Sequence, residues 1–320
     1  MNILVYGSVA YDQIMDFPDS FSNHILPDSI KKLNVSFTVR QLKKTFGGTA
    51  GNIAYNLSLL KEKPVVYSAV GCDFEPYRER MAKLGINLSG IRVYNKTLTA
   101  SVYIITDKDN NQISGFFPGA LQFYGHKPKP TRKDLAVIAP GNPVEMLNLA
   151  EDYAKKRTFF IFDPGQQLTS MTKAQLLKAI KLANIYIVND YELSLTRKIT
   201  GHGKEDILER AGILITTLGA KGSKIELSAE GRVKEYRIRA VKSKKIADPT
   251  GAGDAYRAGL IKGLRLHQKK NLFKTDWLKI GQIASLAGTY AAEQYGTQNH
   301  EYTFEQFKQR FTKEFNINLY

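Results

Sequence analysis

Short apolar segments alternate with longer segments of helical periodicity through most of the chain. The apolar segments are rich in β-branched residues and predict strands at 2–8, 64–70, 135–140, 158–163, 185–189 and 213–218. Between several of them, apolar positions recur at helical spacing and predict helices over 50–61, 75–84, 144–156, 173–183 and 203–211. Buried strands separated by helices are typical of a doubly wound α/β fold, which is a mostly parallel sheet with helices on both faces.

The pattern changes after residue 218, where two strand-like segments precede a helical region. Segments 223–227 and 233–241 predict an antiparallel addition to the sheet. Further helices are predicted over 251–265, 276–294 and 303–314.

Two other segments interrupt the alternation of strands and helices. Within 13–45, residues 32–44 alternate like a half-exposed strand. Within 97–117, two strand-like runs flank a polar turn at 107–111, which indicates a hairpin. We therefore expect one domain over 1–320 with a small β-sheet lid formed by 13–45 and 97–117. We expect this sheet either to cover a cleft or to form the contact of a homodimer.

Composition limits the class of protein. Hydrophobic residues make up 43% of the 320 residues, and the formal net charge is +16. The basic residues are scattered, which indicates a solvated basic surface and disfavours nucleic-acid binding as the main function. No apolar run reaches the roughly 18 residues of a membrane-spanning helix, and the apolar start has no basic leader, so we expect a cytoplasmic protein without membrane association.

Two glycine-rich segments are candidate ligand sites because ligands of open α/β sheets bind beyond the carboxyl ends of the strands. In "FGGTAGN" (46–52), glycines allow close approach of the backbone, so Gly48 and Asn52 are candidates for contact with a polar substrate. In "DPTGAGD" (248–254), Gly251 to Gly253 expose amides at a helix N-terminus, with Thr250 as the expected cap. The alternatives are tight packing in the first segment and a helix-stabilising charge, Asp254, in the second.

Other catalytic motifs are absent from the sequence. It contains no G-x-x-x-x-G-K-[ST], no G-x-G-x-x-G after a strand, no H-E-x-x-H and no G-x-S-x-G. A P-loop enzyme, a metal hydrolase and a serine esterase are therefore unsupported.

The order of several motifs resembles that of one enzyme family. "GSVAYD" (7–12), "GGTAGN" (47–52), "NDYE" (189–192), "TTLGAKGS" (216–223) and "DPTGAGD" (248–254) resemble motifs of the ribokinase-like, or phosphofructokinase B-type, carbohydrate and nucleoside kinases. The resemblance covers essentially the whole chain. Within the family, "GSVAYDQIM", "HILPDSIKKLNVSF" and "FDPGQQL" are most similar to bacterial adenosine kinases.

This resemblance implies transfer of the ATP γ-phosphate to the 5′-hydroxymethyl oxygen of adenosine or a similar ribonucleoside. Asp254 would be the general base, and the amides of Gly251, Ala252 and Gly253 would stabilise charge on the moving phosphoryl group. An aspartate with an ordinary pKa of about 3.9 is already ionised at neutral pH, so the base needs no large pKa shift.

The resemblance also implies binding roles at other positions. Asp12, Gly48 and Asn52 would hold the hydroxyls of the acceptor, and Asn189 and Glu192 would organise Mg²⁺ mostly through water. The nucleotide would lie along the residues of the 216–223 motif: Thr217, Gly219 and Gly222. Residues 284–292 would leave room for its adenine, with a close-packed core helix as the alternative. Asp248 and Thr250 would contribute to a K⁺ site.

Three questions remain open at this stage. The acceptor is a nucleoside or, in the alternative, a sugar of the ribose or fructose type; a non-catalytic ligand or nucleic-acid binder is the third reading. The lid aromatics stack on a purine or form the hydrophobic face of a small sheet; they are Phe37, Tyr103, Phe116 and Phe117. The third question is whether two copies of the chain form a homodimer through the lid.

Overall fold

The strands of the chain form two separate sheets. The computed structural model describes residues 1–25, 34–109, 111–229, 231–243 and 245–320. Within these residues the strands are β1 Ile3–Tyr6, β2 Ala10–Asp16, β3 Gln41–Gly47, β4 Pro64–Gly71, β5 Asn87–Tyr94, β6 Ala100–Thr106, β7 Gln112–Phe117, β8 Leu135–Ile138, β9 Phe159–Phe162, β10 Ile185–Asn189, β11 Ile213–Thr217, β12 Ser223–Ala229 and β13 Arg232–Ile238.

The larger sheet has the order β13-β12-β11-β10-β9-β8-β1-β4-β5. Seven strands of this sheet pair in parallel, in the order β5-β4-β1-β8-β9-β10-β11. Strands β12 and β13 are added antiparallel. Strand order reverses at β1, which lies between β4 and β8, and such a switch point opens a crevice at the carboxyl ends of the strands.

Helices cover both faces of the larger sheet. They are α1 Thr49–Leu59, α2 Glu75–Lys83, α3 Pro143–Lys155, α4 Lys173–Leu182, α5 Asp190–Thr200, α6 Lys204–Ala211, α7 Ala252–His267, α8 Trp277–Ala292 and α9 Phe304–Phe315. One core contains apolar residues of α1, α2, α7, α8 and α9, and the other contains those of α3, α4 and α6. Alternate β1 residues enter the two cores, Ile3 and Val5 on one side and Leu4 and Tyr6 on the other.

The smaller sheet, called the lid sheet below, has the order β3-β2-β6-β7. Strand β2 pairs in parallel with β6 and antiparallel with β3, and β7 pairs antiparallel with β6. Its strands come largely from the two segments that interrupt the alternation, but β2 begins at Ala10 and β3 ends at Gly47, so the bounds 13–45 were too narrow.

The doubly wound sheet, its antiparallel addition and the separate small sheet confirm the predicted fold class. Strand β5 and helix α5 were missed, since Ser89, Gly90 and Arg92 break the apolar run of β5 and α5 begins with a polar turn. The strand predicted over 32–44 was wrong in part: its strand is Gln41–Gly47, 34–40 are not in a strand, and the prediction over 32–33 lies outside the described residues. No helix within the described ranges is long and apolar enough to cross a membrane.

Candidate active site

Polar residues lie at the carboxyl ends of three neighbouring parallel strands of the larger sheet. Asp163 follows β9, Asn189 ends β10 and Thr217 ends β11. Asn189 and Thr217 are paired in the β10–β11 ladder, so they lie side by side. This edge also receives the N-terminus of α5 directly after β10.

The Gly47-Gly48 turn brings the lid sheet close to α1. A Cβ atom on Gly47 would lie 2.5 Å from Asp12 Oδ2, so the carboxylate of Asp12 rests against this turn. Gly48 has φ +83°, and its Cβ would lie 2.6 Å from the Ala10 nitrogen and from the Ser8 oxygen. Gly48 excludes a side chain because of its positive φ and its backbone contacts, whereas a side chain at position 47 would displace the Asp12 carboxylate. The turn thus places Asp12 beside the start of α1.

Asn52 and Asp254 meet although they are far apart in the sequence. Asn52 lies in the first turn of α1, and its Nδ2 donates a hydrogen bond of 2.8 Å to Asp254 Oδ2. Asp254 lies in the first turn of α7. The structure therefore brings together Asp12, Gly48, Asn52 and Asp254, which the sequence placed in one site.

Backbone amides are exposed where α7 begins. Gly251, with φ +79°, is the N-cap, and no side chain caps the helix, so the expectation of a Thr250 cap was wrong. The Thr250 amide instead donates to Asp248 Oδ1 at 2.9 Å. Among the described residues, the amides of Gly251 and Gly253 have no hydrogen-bond acceptor, whereas the Ala252 amide donates to the Pro249 oxygen. Free amides at a helix N-terminus attract an anion.

The protonation of Asp254 differs from the sequence expectation. Burial raises its pKa from 3.8 to about 7, the Asn52 hydrogen bond and Arg257 lower it, and the carboxylates of Asp163 and Asp12 raise it. The expectation of an ordinary pKa was wrong because a local sequence does not reveal this burial or these neighbours. Near neutral pH, Asp254 is thus poised between its proton-accepting and protonated forms, as suits a general base.

Asp12 is also perturbed. Burial raises its pKa from 3.8 to about 6, and the Asp248 carboxylate adds to the increase. Asp248 itself has a lowered pKa, because hydrogen bonds from Thr250 and Gly296 outweigh its burial. Both Asp248 carboxyl oxygens accept backbone amides, at 2.9 Å from Thr250 and 3.0 Å from Gly296.

An ion pair beneath Asp254 was missed by sequence reasoning. Asp163 and Arg257 are 2% and 6% exposed, and Arg257 Nε and Nη2 donate to the two carboxyl oxygens of Asp163. Arg257 Nη1 also donates to the Gly253 oxygen at 2.9 Å, which ties the pair to the start of α7. The available signal was an aspartate directly after strand β9 and an arginine three residues after Asp254.

Asn189 and Glu192 form a capping box at the start of α5. The Glu192 amide donates to Asn189 Oδ1 at 2.7 Å, and the Asn189 amide donates to Glu192 Oε2 at 2.8 Å. Burial raises the pKa of Glu192, and the Asp163 carboxylate adds to the increase. Glu192 is therefore close enough to Asp163 to interact with it electrostatically.

The residues expected along the nucleotide lie at or just after the carboxyl end of β11. Close packing by itself explains why some of these positions are small residues. Gly222 has φ +88°, and its Cβ would lie 2.0 Å from the Ile238 oxygen. Gly219 has φ +56°, and no atom of the described residues lies within 4 Å of its Cβ position. In the 284–292 segment, Ala284 and Ala287 pack against Gly259 of α7, which agrees with the alternative of a close-packed helix at these positions.

The four lid aromatics have different surroundings. Phe37 packs against Phe17 and Phe21, with ring centroids 4.7 Å and 5.1 Å away. Phe116 pairs with Val102, which pairs with Asp12, so Phe116 and Asp12 share one face of the lid sheet. Tyr103 and Phe117 alternate to the opposite face, so only Phe116 of these strand residues shares the face of Asp12.

The chain is similar to known proteins over nearly its whole length. The family pattern of the pfkB family carbohydrate kinases matches residues 2–303. The nucleoside kinase of Methanocaldococcus jannaschii is 32% identical over 283 residues, which are 88% of this chain and 90% of that protein. A structure of the Burkholderia thailandensis nucleoside kinase with inosine has a TM-score of 0.85 and 36% identity over 99% of both chains. Its complex with ADP-inosine has a TM-score of 0.82 and 37% identity, covering 99% of this chain and 97% of that one.

Proposed function

Because the chain belongs to the pfkB family of carbohydrate kinases, we propose that it transfers the γ-phosphate of ATP to the 5′-hydroxymethyl oxygen of adenosine or a similar ribonucleoside. Members of this family are phosphotransferases that use a hydroxyl group as the acceptor. The observation that carries the proposal is the Asp254 carboxylate beside the free amides of Gly251 and Gly253. A proton acceptor and an anion-binding helix N-terminus thus lie next to each other.

Asp254 is proposed to act on the acceptor hydroxyl. Its carboxylate accepts the hydroxyl proton as the oxygen attacks the γ-phosphorus, and the bond from that phosphorus to the β-phosphate bridging oxygen breaks. The free amides at the start of α7 stabilise the negative charge on the moving phosphoryl group. Such a reaction depends mainly on positioning and electrostatics, which suits a site built from glycines, amides and one carboxylate.

Asp12 and Asn52 are proposed to hold the ribose hydroxyls, with the Gly48 backbone. A carboxylate accepts two hydrogen bonds, which suits a pair of vicinal hydroxyls. Phe116, on the same face of the lid sheet as Asp12, is proposed to stack on the base. A nucleoside acceptor is supported by the nucleoside kinases among the relatives, one of which binds inosine.

The donor side of the site is proposed to bind ATP with Mg²⁺. The described residues contain no group of three or more His, Cys, Asp or Glu side chains that could hold a metal. The Glu192 carboxylate offers hard oxygen atoms, which fits an ion held mostly by water and phosphate. Mg²⁺ would neutralise phosphate charge there. Asn189 orients Glu192, and Thr217, Gly219 and Gly222 remain predicted neighbours of the nucleotide. The K⁺ site at Asp248 and Thr250 also remains a prediction.

A coupled assay of ADP release tests the acceptor class. Adenosine, inosine, guanosine, cytidine, uridine, ribose and fructose are each supplied with ATP and Mg²⁺. We expect kcat/KM for at least one ribonucleoside to exceed that for either free sugar by 100-fold or more, on the order of two binding interactions of about 1.5 kcal/mol each. Turnover with a sugar alone would support the sugar-kinase alternative, and no turnover with any acceptor would support a non-catalytic binder.

Replacing Asp12 with asparagine is expected to raise the acceptor KM by about 10–100-fold, because the charged hydrogen-bond acceptor for the hydroxyls is lost. The KM for ATP should change less than about twofold, since Asp12 lies on the acceptor side. Steady-state kinetics with each substrate varied in turn measures both values. An increase in the ATP KM with an unchanged acceptor KM contradicts this assignment.

We also propose that two copies of the chain associate through the lid sheet. The face opposite Asp12 carries exposed apolar side chains, Leu42, Tyr103, Ile113 and Phe117, at 60%, 37%, 41% and 39% exposure. Strand β7 forms an edge of this sheet, and an exposed edge beside an apolar face favours pairing with another copy. Light scattering should give a dimer mass that changes to the monomer mass in Ile113→Asp; a monomeric wild-type protein contradicts the proposal.

A further inference from the structure

A buried hydrogen-bond network connects Asp254 to Gly47, the end of strand β3 and the root of the lid sheet. Gln298 Nε2 donates to Asn52 Oδ1 at 3.0 Å and also donates to the Tyr77 hydroxyl. The Tyr77 hydroxyl donates to the Gly47 oxygen at 2.9 Å. Gln298 and Tyr77 are 3% and 0% exposed, so water does not replace these partners.

The Gly47 carbonyl fixes the direction of every hydrogen bond in this network. The Gly47 carbonyl only accepts, so the Tyr77 hydroxyl must donate its one proton there. Tyr77 then offers only a lone pair to Gln298, which must therefore present its amide nitrogen. That nitrogen also meets Asn52, which must present its oxygen to Gln298 and thus its nitrogen to Asp254.

We propose that Gln298 is a positioning residue of the phosphotransfer reaction, which holds the Asn52 amide in the one orientation that donates to Asp254. This inference rests on the proposed function, in which Asp254 is the base. The same network reaches Gly47, whose backbone lies against Asp12. Gln298 therefore ties the orientation of the base to the root of the lid sheet.

The neighbouring segment supports this role. Thr297 Oγ1 donates to the Phe46 oxygen at 3.0 Å, one residue before Gly47. A Cβ atom on Gly251 would lie 3.1 Å from Thr297 Cα, so the same segment also contacts the start of α7. Gln298 is thus held between strand β3 of the lid sheet and the helix that carries Asp254.

Without Gln298, the Asn52 amide can turn over. In the reversed orientation its oxygen faces Asp254, and that contact is favourable only when Asp254 is protonated and donates. The other groups that face Asp254 stay in place: Asp12 from β2, Asp163 after β9 and Arg257 on α7. Loss of Gln298 should therefore favour the protonated base and reduce turnover near neutral pH.

The test compares Gln298→Met with wild type. Methionine keeps the length of the side chain, adds no charge and removes both donations. We expect the acid limb of kcat to move up by about one pH unit and kcat at pH 7 to fall about fivefold. The KM for ATP should stay within about twofold of wild type. Tyr77→Phe, which removes the acceptor that fixes the Gln298 amide, should shift the limb in the same direction by a smaller amount.

Tyr55→Phe is the matched control. Its hydroxyl donates to the His300 backbone oxygen at 2.5 Å, so it anchors the same segment from α1 through a different hydrogen bond. This variant should lose stability but keep the wild-type pH profile. An acid limb that stays in place in both Gln298→Met and Tyr77→Phe, or moves equally in Tyr55→Phe, overturns the proposal.

A readout without turnover separates this inference from the proposed function. The Asp254 carboxyl is titrated by ¹³C NMR in labelled protein and assigned through Asp254→Asn. An upward shift in Gln298→Met supports the positioning role even if the kinase assay fails for every acceptor. An unchanged titration in an active kinase overturns the positioning role alone.

Discussion

Replacing Asp254 with asparagine is expected to lower kcat by about 10²–10⁴-fold, the usual contribution of a general base. Asparagine keeps the shape of the side chain and still accepts the hydrogen bond from Asn52 Nδ2. It cannot accept the proton of the acceptor hydroxyl. The KM for ATP should remain within about twofold of wild type, because the amides of Gly251 and Gly253 are unchanged.

The same substitution is expected to stabilise the fold, which separates lost chemistry from lost structure. Burial raises the pKa of Asp254 from 3.8 to about 7. Its contribution to stability is therefore present below pH 4 and is lost as the pH rises through about 7, because the folded state must then carry a buried charge. Asparagine removes this loss, so the variant should unfold at a higher temperature than wild type at pH 8, with a smaller difference at pH 5.

Wild-type kcat should rise with pH through about 7 as Asp254 ionises. Thermal unfolding at both pH values and a kcat profile from pH 5 to 9 test these expectations together. An Asp254→Asn protein that keeps more than about half of the wild-type kcat refutes the base assignment. A variant that is inactive and unfolded at both pH values contradicts the expected gain in stability.

Asp163→Asn is expected to lower the free energy of unfolding by about 3–5 kcal/mol, because it leaves Arg257 buried without an opposite charge beside it. Burial by itself lowers the pKa of Arg257, but the Asp163 carboxylate more than compensates and holds the guanidinium charged. The pair also anchors the start of α7 through the bond from Arg257 to the Gly253 oxygen. Urea unfolding monitored by circular dichroism measures the loss.

Glu293→Gln provides the matched control for this buried pair. Glu293 and Arg310 also form two hydrogen bonds, both of 2.7 Å, but their side chains are 23% and 22% exposed. Its loss should cost at most about 1 kcal/mol, as for other solvent-accessible pairs. Equal losses in Asp163→Asn and Glu293→Gln contradict the importance given to burial.

Asp163→Asn also makes a kinetic prediction with a definite sign. The Asp163 carboxylate raises the pKa of Asp254, whereas Arg257 lowers it. Removing the carboxylate and keeping the guanidinium should move the acid limb of kcat to lower pH. This shift is opposite to that expected for Gln298→Met, so a general disturbance of the site cannot produce both results.

Local sequence patterns predicted most helices and strands and the glycines that the backbone conformation requires. Buried strands and helices have strong periodicity, and Gly48 and Gly251 lie where side chains cannot be accommodated or where φ is positive. Helix α5 was missed because its first turn is polar and its capping box serves as part of the candidate site. Asp254 and Asn52 were found through their motifs, although their contact joins positions 202 residues apart.

Long-range electrostatics and side-chain orientation were not predictable in this way. Arg257 and Asp163 are 94 residues apart, and nothing in either local segment indicates that they pair. The pKa of Asp254 depends on burial and on carboxylates from other elements, so the ordinary value was the wrong expectation. Gln298 lies 246 residues from Asn52. The orientation of its amide follows only from its contact with Tyr77, which donates to Gly47. That residues 1–320 form one domain with a closing lid remains a prediction.

The most direct test of the central claim is a crystal structure of the enzyme with a ribonucleoside that it phosphorylates and a non-hydrolysable ATP analogue. The 5′-oxygen is expected at about 2.6–3.2 Å from an Asp254 carboxyl oxygen and in line with the γ-phosphate. The proposed mechanism also predicts the ribose hydroxyls on Asp12 and the γ-phosphate on the amides at the start of α7. A bound nucleoside whose 5′-oxygen points away from Asp254, with the phosphates on another edge of the sheet, would contradict it.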